Sequence, residues 1–332
     1  MKLFQRKKRN PFHAVLVLMV PMIVFFALIA PWLFTTFSSP IIFNENTGHI
    51  GNTFGIMSPF IAIAAVIVTY LAFKMQLDAN EKMFENSRRM QFERQFYEML
   101  KIHCDNVMHL HLDNMFNAIT GISNYISING QDFIRSLLDE FNRIYAFVKE
   151  NIEHTDNNKV FLVSYYIFYF GQNAAYKNGR IDYKTYSSFQ SMTTIYPWFA
   201  KFAQGHLDQL SSYYRHLYLT VKTVAQADDD LVPYADKRQL LRILRAQLSS
   251  AEQTLLYYNW KSKQGKQWEE DSTKPGGNHF LTDYRMIYNI IPKDCWAFSS
   301  DEILQSLLEK NPDYRNLNDE DTLFELIDEK GA

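Results

Sequence analysis

The chain has 332 residues, a formal net charge of −2 and an aromatic content of 15%. Near-neutrality excludes a general electrostatic attraction for nucleic acid. Scarce Gly and Pro, frequent Phe and Tyr, and the near absence of strand-like alternation favour long helices packed by aromatic rings.

The first element is a basic arm, residues 1–11, carrying Lys2, Arg6, Lys7, Lys8 and Arg9. Residues 12–34 then run without Asp, Glu, Lys or Arg, and as a helix of 23 residues they would be about 34 Å long, enough to cross a hydrocarbon core. Their apolar stretch exceeds that of a secretion signal, and the small pair Ala27 and Ala30 is followed at once by Pro31, so a retained anchor is expected. A second uncharged run, 56–73, carries Ala62, Ala65, Thr69 and Ala72 at helical spacing, a flank that another helix can approach closely. Lys74, Lys82, Arg88 and Arg89 follow it, whereas the connection 38–55 has no basic residue. The positive-inside rule therefore places both ends in the cytoplasm and makes 12–75 a transmembrane hairpin. Gly48, Gly51 and Gly55 predict a tight loop re-entering the second span, because glycine reaches positive φ at little steric cost. Gly51, Asn52, Phe54, Gly55 and Pro59 are the candidate functional positions at this membrane loop. No Gly-Lys-Ser/Thr follows, which argues against a phosphate-cradling loop.

From Lys74 onward, charges of alternating sign interleave with Met83, Phe84, Met90, Phe92, Phe96, Tyr97, Leu100 and Val107. This predicts a juxtamembrane helix, 76–112, with one packed stripe, suited to mechanical coupling or to self-association. A cytoplasmic all-helical domain, 113–317, follows, with helices expected near 132–151, 158–177, 183–194, 198–227, 234–248, 250–263, 278–290 and 300–310. The turn clusters 154–158 and Asn178-Gly179, and the segment from Asp228 to Pro233, mark breaks. Ser249 with Glu252, and Ser299 with Glu302, have the spacing of capping boxes. The tail, 318–332, is acidic and is expected to add one short peripheral helix. The fold class is thus all-α: a two-helix membrane hairpin, a long juxtamembrane helix and a cytoplasmic bundle.

The sequence offers little catalytic chemistry. His103, Cys104, His109 and His111 cluster near the end of the juxtamembrane helix, but on a helix they cannot all reach one ion, and Cys295 is alone. With both cysteines in a reducing compartment, no disulfide is expected. Serine-elbow, metalloprotease, kinase and phosphate-loop patterns are absent. No catalytic residue, cofactor or metal is therefore assigned. The distinctive cytoplasmic residues are Arg215 and His216 within Tyr213-Tyr-Arg-His-Leu-Tyr218, and Arg245, Gln247, Ser249 and Glu252. They are expected to form an internal polar network that fixes the shape of the body.

These features resemble the phage abortive infection family of bacteria, in its membrane-associated, AbiC-like group. The resemblance rests on Gly51-Asn-Thr-Phe-Gly55 with Pro59, Phe92-Glu-Arg-Gln-Phe-Tyr-Glu-Met-Leu100, Ser212-Tyr-Tyr-Arg-His-Leu-Tyr218, and Arg245-Ala-Gln-Leu-Ser249 with Glu252 through Asn259. It covers about 48–288. Where the family pattern has an acidic residue before Phe54, this chain has Asn52-Thr53. The resemblance implies defence against bacteriophage and brings no catalytic residues with it. The expected partners are the lipid bilayer of the bacterial inner membrane, a second copy meeting the second span and juxtamembrane helix, and a phage or host protein as trigger. Nucleic acid is disfavoured. A membrane-tethered enzyme acting on nucleic acid or nucleotide, and a passive scaffold of a membrane complex, are the competing classes. A soluble fragment that kept toxicity would favour the enzyme, and a deletion without infection phenotype the scaffold.

Overall fold

The computed structural model describes residues 45–116, 124–151, 156–195 and 204–325, with Met22, Phe25, Phe26, Ile29 and Trp32 as isolated positions. The basic arm and, apart from those positions, the expected span 12–34 lie outside the described residues. The chain divides into two compact units, Met1–Met83 and Phe84–Ala332.

Helix α1 runs Glu45–His109. It takes in the segment expected to be a glycine loop, and Gly48 and Gly55 sit in it without positive φ. Each helical glycine costs about 1 kcal/mol relative to Ala, a penalty that so long a run of backbone hydrogen bonds absorbs. The loop reading of Gly51, Asn52, Phe54 and Gly55 is therefore corrected to helix, and Pro59 lies within the same helix. Among the described residues α1 is the one helix long and apolar enough to cross a membrane. In the first unit its apolar side chains Ile63, Val66, Ile67, Tyr70 and Phe73 are exposed.

In the second unit the end of α1 joins the body through Phe96, His103 and Val107, all buried, at spacings of seven and four that place them on one stripe. The helix stops at His109, so His111 lies not on a helix but at the start of strand β1, His111–Phe116. This strand pairs antiparallel with β2, Asn124–Asn129, in a register that sets Leu112 opposite Ile128 and Asn114 opposite Ile126. The all-α expectation is thus corrected by one two-stranded ladder. Six-residue strands rich in Asn and Asp give too short a period-two signal to stand out.

Among the described residues, eight helices after α1 and the segments between them build most of the body. Helix α2, Gly130–Asn151, buries Phe133, Leu137, Phe141, Ile144 and Val148. Helix α3, Asn157–Phe170, starts where Asp156 accepts a hydrogen bond from the Asn158 amide at 2.9 Å. Sequence reasoning joined α3 to α4, Gln172–Lys177, but Gly171 breaks them at φ 88. After α5, Tyr183–Ile195, helix α6 occupies Leu207–Ala225, preceded by Gly205 at φ +84; the first part of the helix expected over 198–227, up to residue 203, lies outside the described residues. Helices α7, Tyr234–Arg245, and α8, Ser250–Lys261, follow, and the capping box at Ser249 and Glu252 starts α8. A second capping box at Ser299 and Glu302 starts the closing helix α9, Ser300–Leu308. The core is aromatic: Phe141 lies 4.5 Å from Tyr258 and 5.7 Å from Phe168, and Phe161 lies 4.8 Å from Phe298, ring centre to ring centre.

Two further expectations are corrected. Residues 278–290 are turns rather than helix. The buried Glu269 carboxylate accepts the Leu281 and Thr282 amides at 2.9 and 3.1 Å and also the Thr282 hydroxyl, so the chain satisfies its donors on a side chain instead of on its own carbonyls. The described part of the acidic tail, 318–325, is also not helical. It packs on the body through buried Leu323 and through the Glu325 amide, which donates to the Tyr288 carbonyl at 2.9 Å.

At Gly205 two stretches of backbone approach closely. A Cβ there would stand 2.5 Å from the Gly171 nitrogen and 2.6 Å from the Phe170 carbonyl carbon. Gly179 has a similar φ of +62 but open space around it. Gly205→Ala should therefore cost about 2–4 kcal/mol, strain plus clash, against about 1 kcal/mol for Gly179→Ala. Thermal unfolding of the two variants in detergent checks this, and equal losses would contradict the close approach.

Candidate functional site

The structure separates the expected polar network into two clusters and leaves two of its members outside both. Arg215 and Gln247 are exposed, and neither makes an ion pair among the described residues. Ser249, Glu252 and His216 belong to one cluster, and Arg245 to the other.

The first cluster grows from the start of α8. Glu252, buried at 1% exposure, accepts the Ser249 amide at 2.6 Å and the Ser249 hydroxyl at 2.9 Å on one oxygen. Its other oxygen accepts the Tyr213 hydroxyl at 2.9 Å, tying α8 to α6. Burial raises the Glu252 pKa, and the bonds from Ser249 and Tyr213 oppose that rise. The phenol of Tyr213 is pushed well above its ordinary range by burial and by the neighbouring carboxylate.

Next to Tyr213 stands His103 of α1, at 5.5 Å between ring centres, and His103 in turn stacks on His216 at 6.3 Å with the planes 12° apart. His216 donates from Nε2 to the Met99 carbonyl at 3.1 Å. His103 is 1% exposed, and neither of its ring nitrogens has a hydrogen-bond partner. Burial, reinforced by His216, lowers its pKa to about 4. A ring in these surroundings stays neutral and packs as an aromatic. Tyr213, Glu252 and His103 are all buried, an arrangement that fastens α1, α6 and α8 together. Cys104, adjacent in sequence, and Cys295 are both free thiols. Among the described residues no group of three or more His, Cys, Asp or Glu side chains could hold a metal ion.

The second cluster surrounds a cavity of about 560 Å³ between α7, the turn at 284–288 and the segment 317–322. Helix α7 supplies Arg238, Arg242 and Arg245, spaced i, i+4 and i+7 on one face. Arg285 enters from the turn with a left-handed backbone, φ 56, and is 1% exposed. Its guanidinium donates to the carbonyls of Thr322 and Asp321, each at 3.0 Å, and also to the Thr282 carbonyl and to Asn316, and it lies over the Tyr314 ring. Asp321 pairs with Arg238 at 2.6 Å and with Arg285 at 3.2 Å. Arg245 donates to the Arg285 carbonyl at 2.9 Å and covers the Tyr288 ring at 4.5 Å. Sequence reasoning selected Arg245 alone. The spacing of Arg238 and Arg242 on the same helix was a usable signal, whereas Arg285 and Asp321 join through contacts that no local pattern announces.

The buried imidazole makes a pH prediction. The unfolded chain takes up a proton at His103 near pH 6.5, whereas the folded chain resists it until about pH 4. His103 therefore contributes stability that is complete above pH 6.5 and lost as the pH falls towards 4, on the order of 3 kcal/mol. His103→Phe should keep the ring packing and flatten the acid limb of a melting-temperature profile across that window. An unchanged limb would show that another group controls it.

Comparison with known proteins gives one positive finding. No curated protein and no solved structure matches the chain. A family model described as "Putative phage abortive infection protein" matches residues 205–295, the stretch holding α6, α7, α8 and the turns after them. Through that segment, which carries Tyr213, Glu252 and all four arginines of the second cluster, the chain is similar to the AbiC-like phage abortive infection family.

Proposed function

We propose that this protein belongs to that family and works at the inner membrane of a bacterium, with the helical body receiving the signal of infection and the apolar helices acting in the lipid. The observation that carries the reading is the family match over 205–295. The anchoring part is supported by α1, whose apolar side chains at 61–73 are exposed in the first unit and would gain from transfer into hydrocarbon. In this reading the run 12–34 is a second span, and both termini face the cytoplasm by the distribution of Lys and Arg. A second copy could meet the Ala-lined flank of 62–72, and a phage or host protein could supply the trigger.

The experiment compares three chains in a phage-susceptible host: the intact protein, one with 56–73 scrambled to polar residues, and one with Val66→Asp and Ile67→Lys. Each of the two charges costs about 2.5–3.5 kcal/mol at the middle of a span. Both altered chains are expected to lose retention in the membrane fraction and to lose protection against plaque formation while still accumulating. Protection that survived with the protein in the soluble fraction would refute action at the membrane.

A further inference from the structure

The arginine-lined cavity is not required by any part of that reading, and its charges do not balance. Four guanidiniums, from Arg238, Arg242, Arg245 and Arg285, face it with only two carboxylates, Glu320 and Asp321. Asp321 is committed to Arg238 and Arg285. Among the described residues no carboxylate pairs with Arg242 or Arg245, and Glu320 is exposed and makes no ion pair. The bonds of Arg245 are to a main-chain carbonyl and a tyrosine face, neither of which carries a neutralising charge. Burial and the neighbouring guanidiniums of Arg238, Arg242 and Arg285 lower the Arg245 pKa to about 10, the direction expected where like charges are crowded.

The cost of that crowding is out of keeping with a purely structural role. A helix face that only packs against a turn would place apolar or neutral side chains there, as α7 itself does with buried Leu241 and Leu244 beside the arginines. Arg285 adds a second oddity, because a non-glycine residue held at positive φ is strained and such strain is found where a site must be shaped. Its left-handed backbone does two things at once: it sends the guanidinium inward to Asp321 and presents the carbonyl that holds Arg245. Asp321 neutralises Arg238 and Arg285, whereas Arg242 and Arg245 keep their charge uncompensated among the described residues.

We propose that this cavity binds a small molecule carrying a diphosphate group, of the nucleoside diphosphate class, with its phosphate oxygens held by Arg242 and Arg245. Guanidinium forks match phosphate oxygens in bidentate fashion and remain charged at any physiological pH. A volume of about 560 Å³ lies within the range of small-molecule sites and is far from the open groove a polynucleotide requires. The chain's net charge of −2 fits a local anion site rather than a surface for nucleic acid. Tyr284 and Tyr288, with the amides of Gln239 and Asn318, line the remainder and offer a ring face and hydrogen-bonding groups to whatever bears the phosphates.

The test uses the full chain purified in detergent and titrated calorimetrically with inorganic pyrophosphate, with ADP, and with acetate as a singly charged control. Pyrophosphate and ADP should bind, more weakly as salt is raised, and acetate should not. Arg242→Ala, at an exposed position that supports no packing, should weaken both by about 10- to 100-fold, the loss expected for a charge-assisted contact. Arg245→Gln should do the same, and an unchanged melting temperature for Arg242→Ala separates this loss from misfolding. ADP tighter than pyrophosphate would assign contacts to the nucleoside, and equal affinities would confine recognition to the phosphates; either supports the site. Absence of binding by the unaltered chain, or equal binding by Arg242→Ala, overturns it, and neither result depends on whether the protein protects against phage.

Discussion

Helix α8 has no exposed face between Ala251 and Trp260, so its polar side chains must find partners inside the protein, and among the described residues all but the Tyr258 hydroxyl do. Glu252 takes Ser249 and Tyr213; Gln253 reaches the Leu248 carbonyl and receives the Asn289 amide; Tyr257 meets Ser306; Asn259 donates to Tyr165; and the Trp260 indole donates to the Glu269 carbonyl. An unpartnered buried polar group costs about 1–3 kcal/mol, so these bonds act as requirements on position more than as sources of stability. They dictate where α6, α3, α9 and the turns after α8 can sit. The body is ordered around that helix because its polar side chains accept few alternatives.

This constraint also explains which features were legible in the sequence. Both capping boxes were readable because Ser249 with Glu252 and Ser299 with Glu302 are local, spaced by three, and satisfy each other before anything else packs. The long helix of α1 and the apolar stripes of α2 and α6 were readable for the same reason: a period of 3.6 needs no knowledge of the partner. Residues 278–290 were not, because their amides are answered by Glu269, a carboxylate that is itself in an irregular stretch. Gly171 and Gly205 looked like tolerable interruptions, and their effect depends on a meeting of two backbones distant in the chain. Gly48 and Gly55 erred the other way, since glycine permits a turn without demanding one.

At the site the same division holds. Ser249 and Glu252 were chosen on local grounds and meet in a capping box with His216 in the same cluster, but Arg215 and Gln247 share their sequence motifs without sharing their surroundings. Neighbours on a helix point about 100° apart, so a conspicuous run such as Tyr213-Tyr-Arg-His mixes buried and solvent-facing members. His103 was weighed as a metal ligand and set aside in favour of ordinary polar packing. Its actual role, a neutral ring between Tyr213 and His216, follows from burial, which composition cannot report.

The two clusters are built on adjoining parts of one stretch of chain. Helix α7 ends at Arg245, and four residues later Ser249 caps α8, so the last arginine of the cavity and the first bond of the buried network share a short connection. Its geometry is pinned at both ends: the Leu248 amide donates to the Arg245 carbonyl at 2.9 Å, and the Gln253 side chain donates to the Leu248 carbonyl at 3.2 Å. Gln253 also holds the Asn289 amide, one residue beyond the Tyr288 ring on which Arg245 rests. A displacement of Arg245 would therefore be felt at Leu248 and at Asn289 at once, and through them at α8, which has no free face on which to relax. That connectivity makes occupancy of the arginine cavity and the packing of the buried helix parts of one mechanical problem, whatever molecule the cavity accepts.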